Sequence, residues 1–176
     1  PHRATPAHDL RADAVPLPLH LPVASRAQQR RHVGHGLAER VGQKERVGLA
    51  RHARIAGGVR AAVDAWGLTL CAARPALYSD TVSAIRMPEG FDANRFVAHA
   101  LDTYDMAFGT GLGQLAGKVF RIGHLGSLTD AMALSGLATA EMVMADLGLP
   151  IRLGSGVAAA QEHYRSSTAA ALQQAA

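Results

Sequence analysis

From Leu37 onward, apolar residues recur with the periods of regular structure; before it they do not. Between Arg46 and Trp66, the positions Val47, Leu49, Ala50, Ala53, Ile55, Val59, Ala62, Val63 and Trp66 approximate the stripe of an amphipathic helix. Gly57 and Gly58 weaken that helix by about 1 kcal/mol each relative to alanine, and Gly67 is placed to end it. Leu68 to Ala72 reads as a short strand, broken by Pro75. Thr81 to Met87 reads as a second, with β-branched Thr81, Val82 and Ile85. Pro88-Glu89-Gly90 is a turn, and Asp92 is a suitable N-cap for a helix running to about Tyr104. Two more short strands are expected, over Met106 to Gly109 and Lys118 to Ile122. Ser127 can cap the next helix, with Asp130 favourably placed in its first turn. That helix reaches about Leu147 and stops at Gly148-Leu149-Pro150. Gly154-Ser155-Gly156 then opens a last helix, Val157 to about Ala171.

The order helix, strand, strand, helix, strand, strand, helix, helix predicts a two-layer α/β sandwich. Its sheet is small and mostly antiparallel, with helices on one face. Ahead of it, Pro1, Pro6, Pro16, Pro18 and Pro22 interrupt any helix, and five histidines lie among Arg, Ala and Pro without a hydrophobic period. Such a stretch buries too little apolar surface to offset its ordering entropy. Residues 1–46 are therefore expected to be a basic, Pro/His/Arg-rich disordered segment, residues 47–167 the folded domain, and residues 168–176 a tail. A misassigned start or a shifted reading frame would also produce an Arg/His/Pro/Ala-rich stretch that stops abruptly at a patterned domain.

Charge sharpens this division. Residues 1–50 carry eight basic and four acidic side chains, which is the whole net charge of +4, while residues 51–176 carry ten of each. A high pI invites a nucleic-acid reading, but the patterned part of the chain is neutral. The Arg30-Arg31-His32 cluster also lacks the interleaved aromatics that base stacking needs. Neither nucleic acid nor a membrane is expected as a partner, since no apolar run approaches the roughly 18 residues of a membrane helix. The lone Cys71 excludes an intramolecular disulfide and favours a reducing compartment, so a cytoplasmic protein is expected. The histidine spacing fits no zinc pattern, and no metal is expected.

Among chemistry-bearing residues, Gly111-Leu112-Gly113 through Lys118 superficially suggests a phosphate loop. The spacing is wrong, Val119 follows the lysine where a Ser or Thr is needed for Mg²⁺, and a strand follows where a helix should. Arg121 is more interesting. It sits in a strand-like run between Val119-Phe120 and Ile122-Gly123, and a guanidinium held on a rigid strand suits bidentate capture of a carboxylate. The plainer alternative is a structural ion pair with Asp130 or Glu141. His124 could line the same site or be structural. Cys71 reads as a small core residue, and the five methionines as packing.

Several blocks, in order, resemble the class V PLP-dependent aminotransferases, most nearly the serine–glyoxylate and alanine–glyoxylate type. They are Arg51-His52-Ala53-Arg54-Ile55-Ala56, Ala65-Trp66-Gly67-Leu68, Tyr78-Ser79-Asp80-Thr81-Val82, Gly111-Leu112-Gly113 and Gly117-Lys118-Val119-Phe120-Arg121-Ile122-Gly123-His124-Leu125-Gly126. Glu141-Met142 and Gly154 to Ala160 continue the likeness, which covers about residues 47–167. The resemblance implies the C-terminal small domain of a fold-type I PLP enzyme, working as a homodimer on amino-acid and 2-oxo-acid substrates. It implies an amino group passed from serine or alanine to glyoxylate, with Arg121 anchoring the substrate carboxylate. In the complete enzyme a lysine of the large domain holds pyridoxal 5'-phosphate as a Schiff base. This chain has only Lys44 and Lys118. Lys118 belongs to a small-domain block, and Lys44 only echoes the Gln-Lys of the family's lysine, too close to the Arg51 block. The chain is thus expected to be a fragment that binds no PLP by itself, holds no catalytic residue and is inactive alone. Two other readings stand beside this one: a non-enzymatic carboxylate-binding or interaction domain, and a nucleic-acid binder acting through residues 1–46.

Overall fold

The computed structural model describes residues 47–174, and the expectations for residues 1–46, Lys44 included, lie outside them. The described elements are α1 (47–65), β1 (Thr69–Leu70), β2 (Val82–Arg86), α2 (Ala93–Tyr104), β3 (Gly109–Thr110), β4 (Val119–Gly123), α3 (Asp130–Asp146) and α4 (Ser155–Gln174). Their order is the one the periodicity predicts. The final helix starts two residues earlier than expected and continues past residue 168.

The four strands form one antiparallel sheet in the order β1-β2-β4-β3. On its covered face Ile85 and Phe120 are opposite each other and fully buried. Phe96 of α2 stacks on Phe120 with ring centroids 4.2 Å apart and meets Phe108 at 5.3 Å. These rings join Ile55, Val59 and Val63 of α1 and Leu137, Val143 and Met144 of α3 in one core. With so few aromatics, that triad sits where the sheet meets α2, and aliphatic side chains fill the rest.

Helix ends follow local chemistry. Asp92 caps α2, its carboxylate accepting from Asn94 N–H at 2.8 Å, as expected. The cap of α3 is Thr129 and not Ser127: its hydroxyl accepts from Met132 N–H at 3.3 Å, and Asp130 falls in the first turn. Two helices close with the same device. Gly67 (φ 71°) and Gly148 (φ 79°) adopt the left-handed conformation. Gly67 N–H donates to Asp64 O, and Leu68 N–H reaches back to Val63 O; Gly148 and Leu149 do the same to Ala145 and Met144. Leu68 and Leu149 are both buried, which supplies the apolar contact this motif favours.

Gly57 and Gly58 have a reason that periodicity does not reveal. A Cβ on Gly57 would lie 2.3 Å from the His163 ring, and one on Gly58 2.3 Å from the Tyr164 ring. Together they form the notch in α1 into which α4 packs. The propensity they cost α1 is exchanged for close helix contact.

Candidate functional site

Arg121 lies in the middle of β4 with its backbone opposite Ala84 on one side and Gly109 on the other. Phe120 and Ile122, its chain neighbours, point into the core. Strand alternation therefore puts Arg121 on the opposite face of the sheet. Its side chain runs over β3, the edge strand, and Nε donates to Thr110 O at 2.9 Å. Gly111 N–H is already bonded to Val119 O at 2.8 Å. By the alternation of an antiparallel ladder, the Thr110 carbonyl then faces away from β4, towards the free edge. Nη1 and Nη2 make no hydrogen bond or ion pair among the described residues.

The two carboxylates that could have made Arg121 a structural ion pair are committed elsewhere. Asp130 takes a forked contact from Arg54, with Nη2 to Oδ2 at 2.7 Å and Nε to Oδ1 at 3.3 Å. Arg54 also donates to Ser167 Oγ at 2.5 Å and lies over the Tyr164 ring at 5.3 Å. Glu141 is buried and accepts from the Trp66 indole N–H at 2.9 Å, Gly154 N–H at 2.5 Å, Gly156 N–H at 2.7 Å and Val157 N–H at 3.2 Å. Its carboxylate thus lies at the positive end of α4.

The segment after β4 is held from α1. Arg51 Nη2 donates to Gly126 O at 2.8 Å, and His52 Nε2 lies 3.3 Å from the same oxygen. His124 is not at the site. It is fully buried, with Nε2 3.0 Å from Ser83 Oγ and Nδ1 3.0 Å from Asp80 O. A carbonyl can only accept, so Nδ1 carries the proton and Ser83 donates to Nε2. Burial pushes the pKa of His124 below its ordinary value, outweighing the opposing pull of the Asp80 carbonyl. Asp80 in turn pairs with Arg60 at 3.1 Å. The blocks around Arg51 and Tyr78 are thus packing and latching elements beside the strand that carries Arg121.

The described residues do not fit a pyridoxal phosphate site. Their only lysine, Lys118, is exposed in the turn before β4. The starts of α2, α3 and α4 each already hold an acidic group, Asp92, Asp130 and Glu141 in turn. Gly111-Leu112-Gly113 leads into a 3₁₀ turn over Gly113–Leu115 and then a strand, so no helix N-terminus follows it. No group of three or more metal-ligating side chains occurs among the described residues. No described helix is long and apolar enough to cross a membrane.

Sequence reasoning singled out Arg121 but missed Gly109 and the Trp66–Glu141 contact. The Ala65-Trp66-Gly67 and Glu141-Met142 blocks were visible as separate likenesses. Nothing in their spacing said that they touch across 75 residues.

No protein-family model matches the chain. It is similar to the L-aspartate–glyoxylate aminotransferase of Paracoccus denitrificans (strain Pd 1222), 85% identical over 128 residues, or 73% of this chain and 32% of that protein. It is also similar to the serine–glyoxylate aminotransferase of Hyphomicrobium methylovorum, 56% identical over 116 residues, or 66% of this chain and 29% of that protein. Among solved structures, it resembles pyridoxamine–pyruvate aminotransferase from Mesorhizobium loti, with a TM-score of 0.64 and 34% identity over 67% of this chain and 30% of that one. The chain spans about a third of the length of the curated relatives it matches.

Proposed function

Since over its matched span the chain belongs to the class V PLP-dependent aminotransferases, we propose that residues 47–167 are the small C-terminal domain of such an enzyme, with Arg121 holding the substrate carboxylate. The observation that carries this reading is the Arg121 guanidinium. It is fixed at Nε by the Thr110 carbonyl while both Nη groups stay uncommitted among the described residues. A planar fork anchored on a strand presents parallel donors to a carboxylate and orients the rest of the substrate. The relatives' names support glyoxylate as acceptor and serine or aspartate as donor, and a similar solved structure, the alanine–glyoxylate aminotransferase from Nostoc sp., supports alanine as donor beside serine.

The cofactor chemistry belongs to residues other than those described, because no lysine and no phosphate cradle suited to it occurs among them. On this reading the chain has no transaminase turnover of its own, binds no PLP specifically, and acts within a homodimer whose large domain supplies the lysine. A cytoplasmic location belongs to the same proposal and rests on the lone thiol Cys71. Adding PLP, reducing with borohydride and mapping the adduct tests the first part. Random, low labelling without turnover is expected, and a specific adduct on Lys44 or Lys118 accompanied by turnover overturns it. The second part is tested by titrating glyoxylate into the wild-type chain and Arg121→Ala while following amide and guanidinium NMR shifts. Saturable shifts around β3 and β4 that vanish in the variant are expected. Their survival in Arg121→Ala removes Arg121 from the role.

A further inference from the structure

A guanidinium is useful for recognition only when its direction is set, and Arg121 has many rotamers available to it. What sets its direction is the residue opposite. Gly109 pairs with Arg121 across the β3–β4 ladder, and the Arg121 side chain lies over it. A Cβ at position 109 would lie 3.0 Å from Arg121 Nε, 3.1 Å from its Cβ and 3.4 Å from Nη2. These approaches are tighter than ordinary van der Waals contact, and three of them fall on one side chain. The Thr110 carbonyl that accepts from Nε is reached only by crossing this point, because it faces the free edge of the sheet.

We infer that Gly109 is a positioning residue for Arg121: the missing side chain leaves the lane through which the guanidinium crosses β3 and hooks onto Thr110 O. On the covered face of the same sheet, Phe108, just before β3, meets Phe120 of β4 edge-on with ring centroids 6.2 Å apart. The lane is therefore a fixed feature of the ladder and does not depend on a ligand. Gly109 touches no substrate in this arrangement. It acts through the aim of Arg121, and its significance for substrate rests on the carboxylate reading given above.

The direct readout is the Arg121 Nε–Hε NMR signal in the full chain. Hooked on the carbonyl, this proton exchanges with water about tenfold more slowly than that of a free arginine, as a charge-assisted hydrogen bond implies. Gly109→Ala is expected to bring that exchange to the free rate and to weaken the glyoxylate-induced shifts, with the melting temperature little changed. Gly123→Ala is the control on the same strand as Arg121, since a Cβ there meets nothing within 4 Å, and it leaves the Hε signal as in wild type. Slow Hε exchange that persists in Gly109→Ala overturns the inference. If Gly109→Ala fails to fold, the double variant Gly109→Ala/Arg121→Ala decides the matter. Recovery of folding shows that crowding between these two side chains is the cause, and failure to recover overturns the assignment. A wild-type chain with slow Hε exchange but no response to glyoxylate refutes the carboxylate reading and leaves the positioning intact.

Discussion

The Trp66 indole N–H donates to Glu141 Oε1 at 2.9 Å, joining the end of α1 to the middle of α3. The same carboxylate collects three backbone N–H groups at the start of α4. One buried acid therefore ties three helices, satisfying donors that would otherwise be stranded away from water.

Glu141→Ala leaves four buried or half-buried donors without an acceptor. A loss of about 3–5 kcal/mol in unfolding free energy is expected from chemical denaturation. Glu141→Gln keeps one oxygen but turns an amide NH₂ towards N–H groups, so its cost falls between wild type and alanine. A loss under about 1 kcal/mol for Glu141→Ala contradicts this account.

Two glycines on helices should respond in opposite directions to the same substitution. Gly58→Ala drives a methyl into the Tyr164 ring and is expected to cost about 1–3 kcal/mol. Gly136→Ala, inside α3 with nothing within 4 Å of the new Cβ, is expected to stabilise by about 0.4–1 kcal/mol. Thermal melts of the two variants beside wild type distinguish the signs.

His124 gives the fold a dependence on acid. Burial holds its pKa below the ordinary 6.5 in the folded state, so the unfolded chain takes up the proton first. Its contribution to stability is complete above about pH 6.5 and is lost as pH falls through the folded pKa, by at most about 1.4 kcal/mol per pH unit. Urea midpoints at several pH values should fall more steeply on acidification in wild type than in His124→Gln. Equal slopes assign the acid sensitivity to other groups.

Asp105 closes α2 with φ 52°, the only positive φ on a described residue other than glycine. The conformation costs an L-residue about 1 kcal/mol that glycine does not incur. Asp105→Gly should raise the melting temperature, and a lower one indicates that the aspartate side chain stabilises the turn by more than this strain.

Much of this was readable from periodicity. Element order, the Asp92 cap and the glycine stops at Gly67 and Gly148 are local matters, decided within a few residues. The strand beginning at Gly109 was expected three residues earlier because Met106, Ala107 and Phe108 are apolar. They form a loop from which only Phe108 packs on the core, while Ala107 is exposed, and apolarity alone does not separate loop from strand. The cap of α3 went to Thr129 instead of Ser127 because both residues have the chemistry, and where the chain turns off β4 decides between them. Arg121 was legible as a strand-borne guanidinium, whereas its freedom from Asp130 and Glu141 was not. That required knowing that Arg54 and the start of α4 had already claimed both acids. Pairings between residues this far apart in the chain leave no periodic trace.

The reach of Arg121 over Gly109 also bears on how copies of this chain meet. β3 is one of the two borders of the sheet, and a border ordinarily offers its outward carbonyls to any passing strand. Here the Thr110 carbonyl is already taken, and a positive charge lies across the two residues that make up the strand. A neighbouring molecule seeking to extend the sheet at that border must first displace an arginine. The side chain proposed to receive a carboxylate thus also keeps this border from growing.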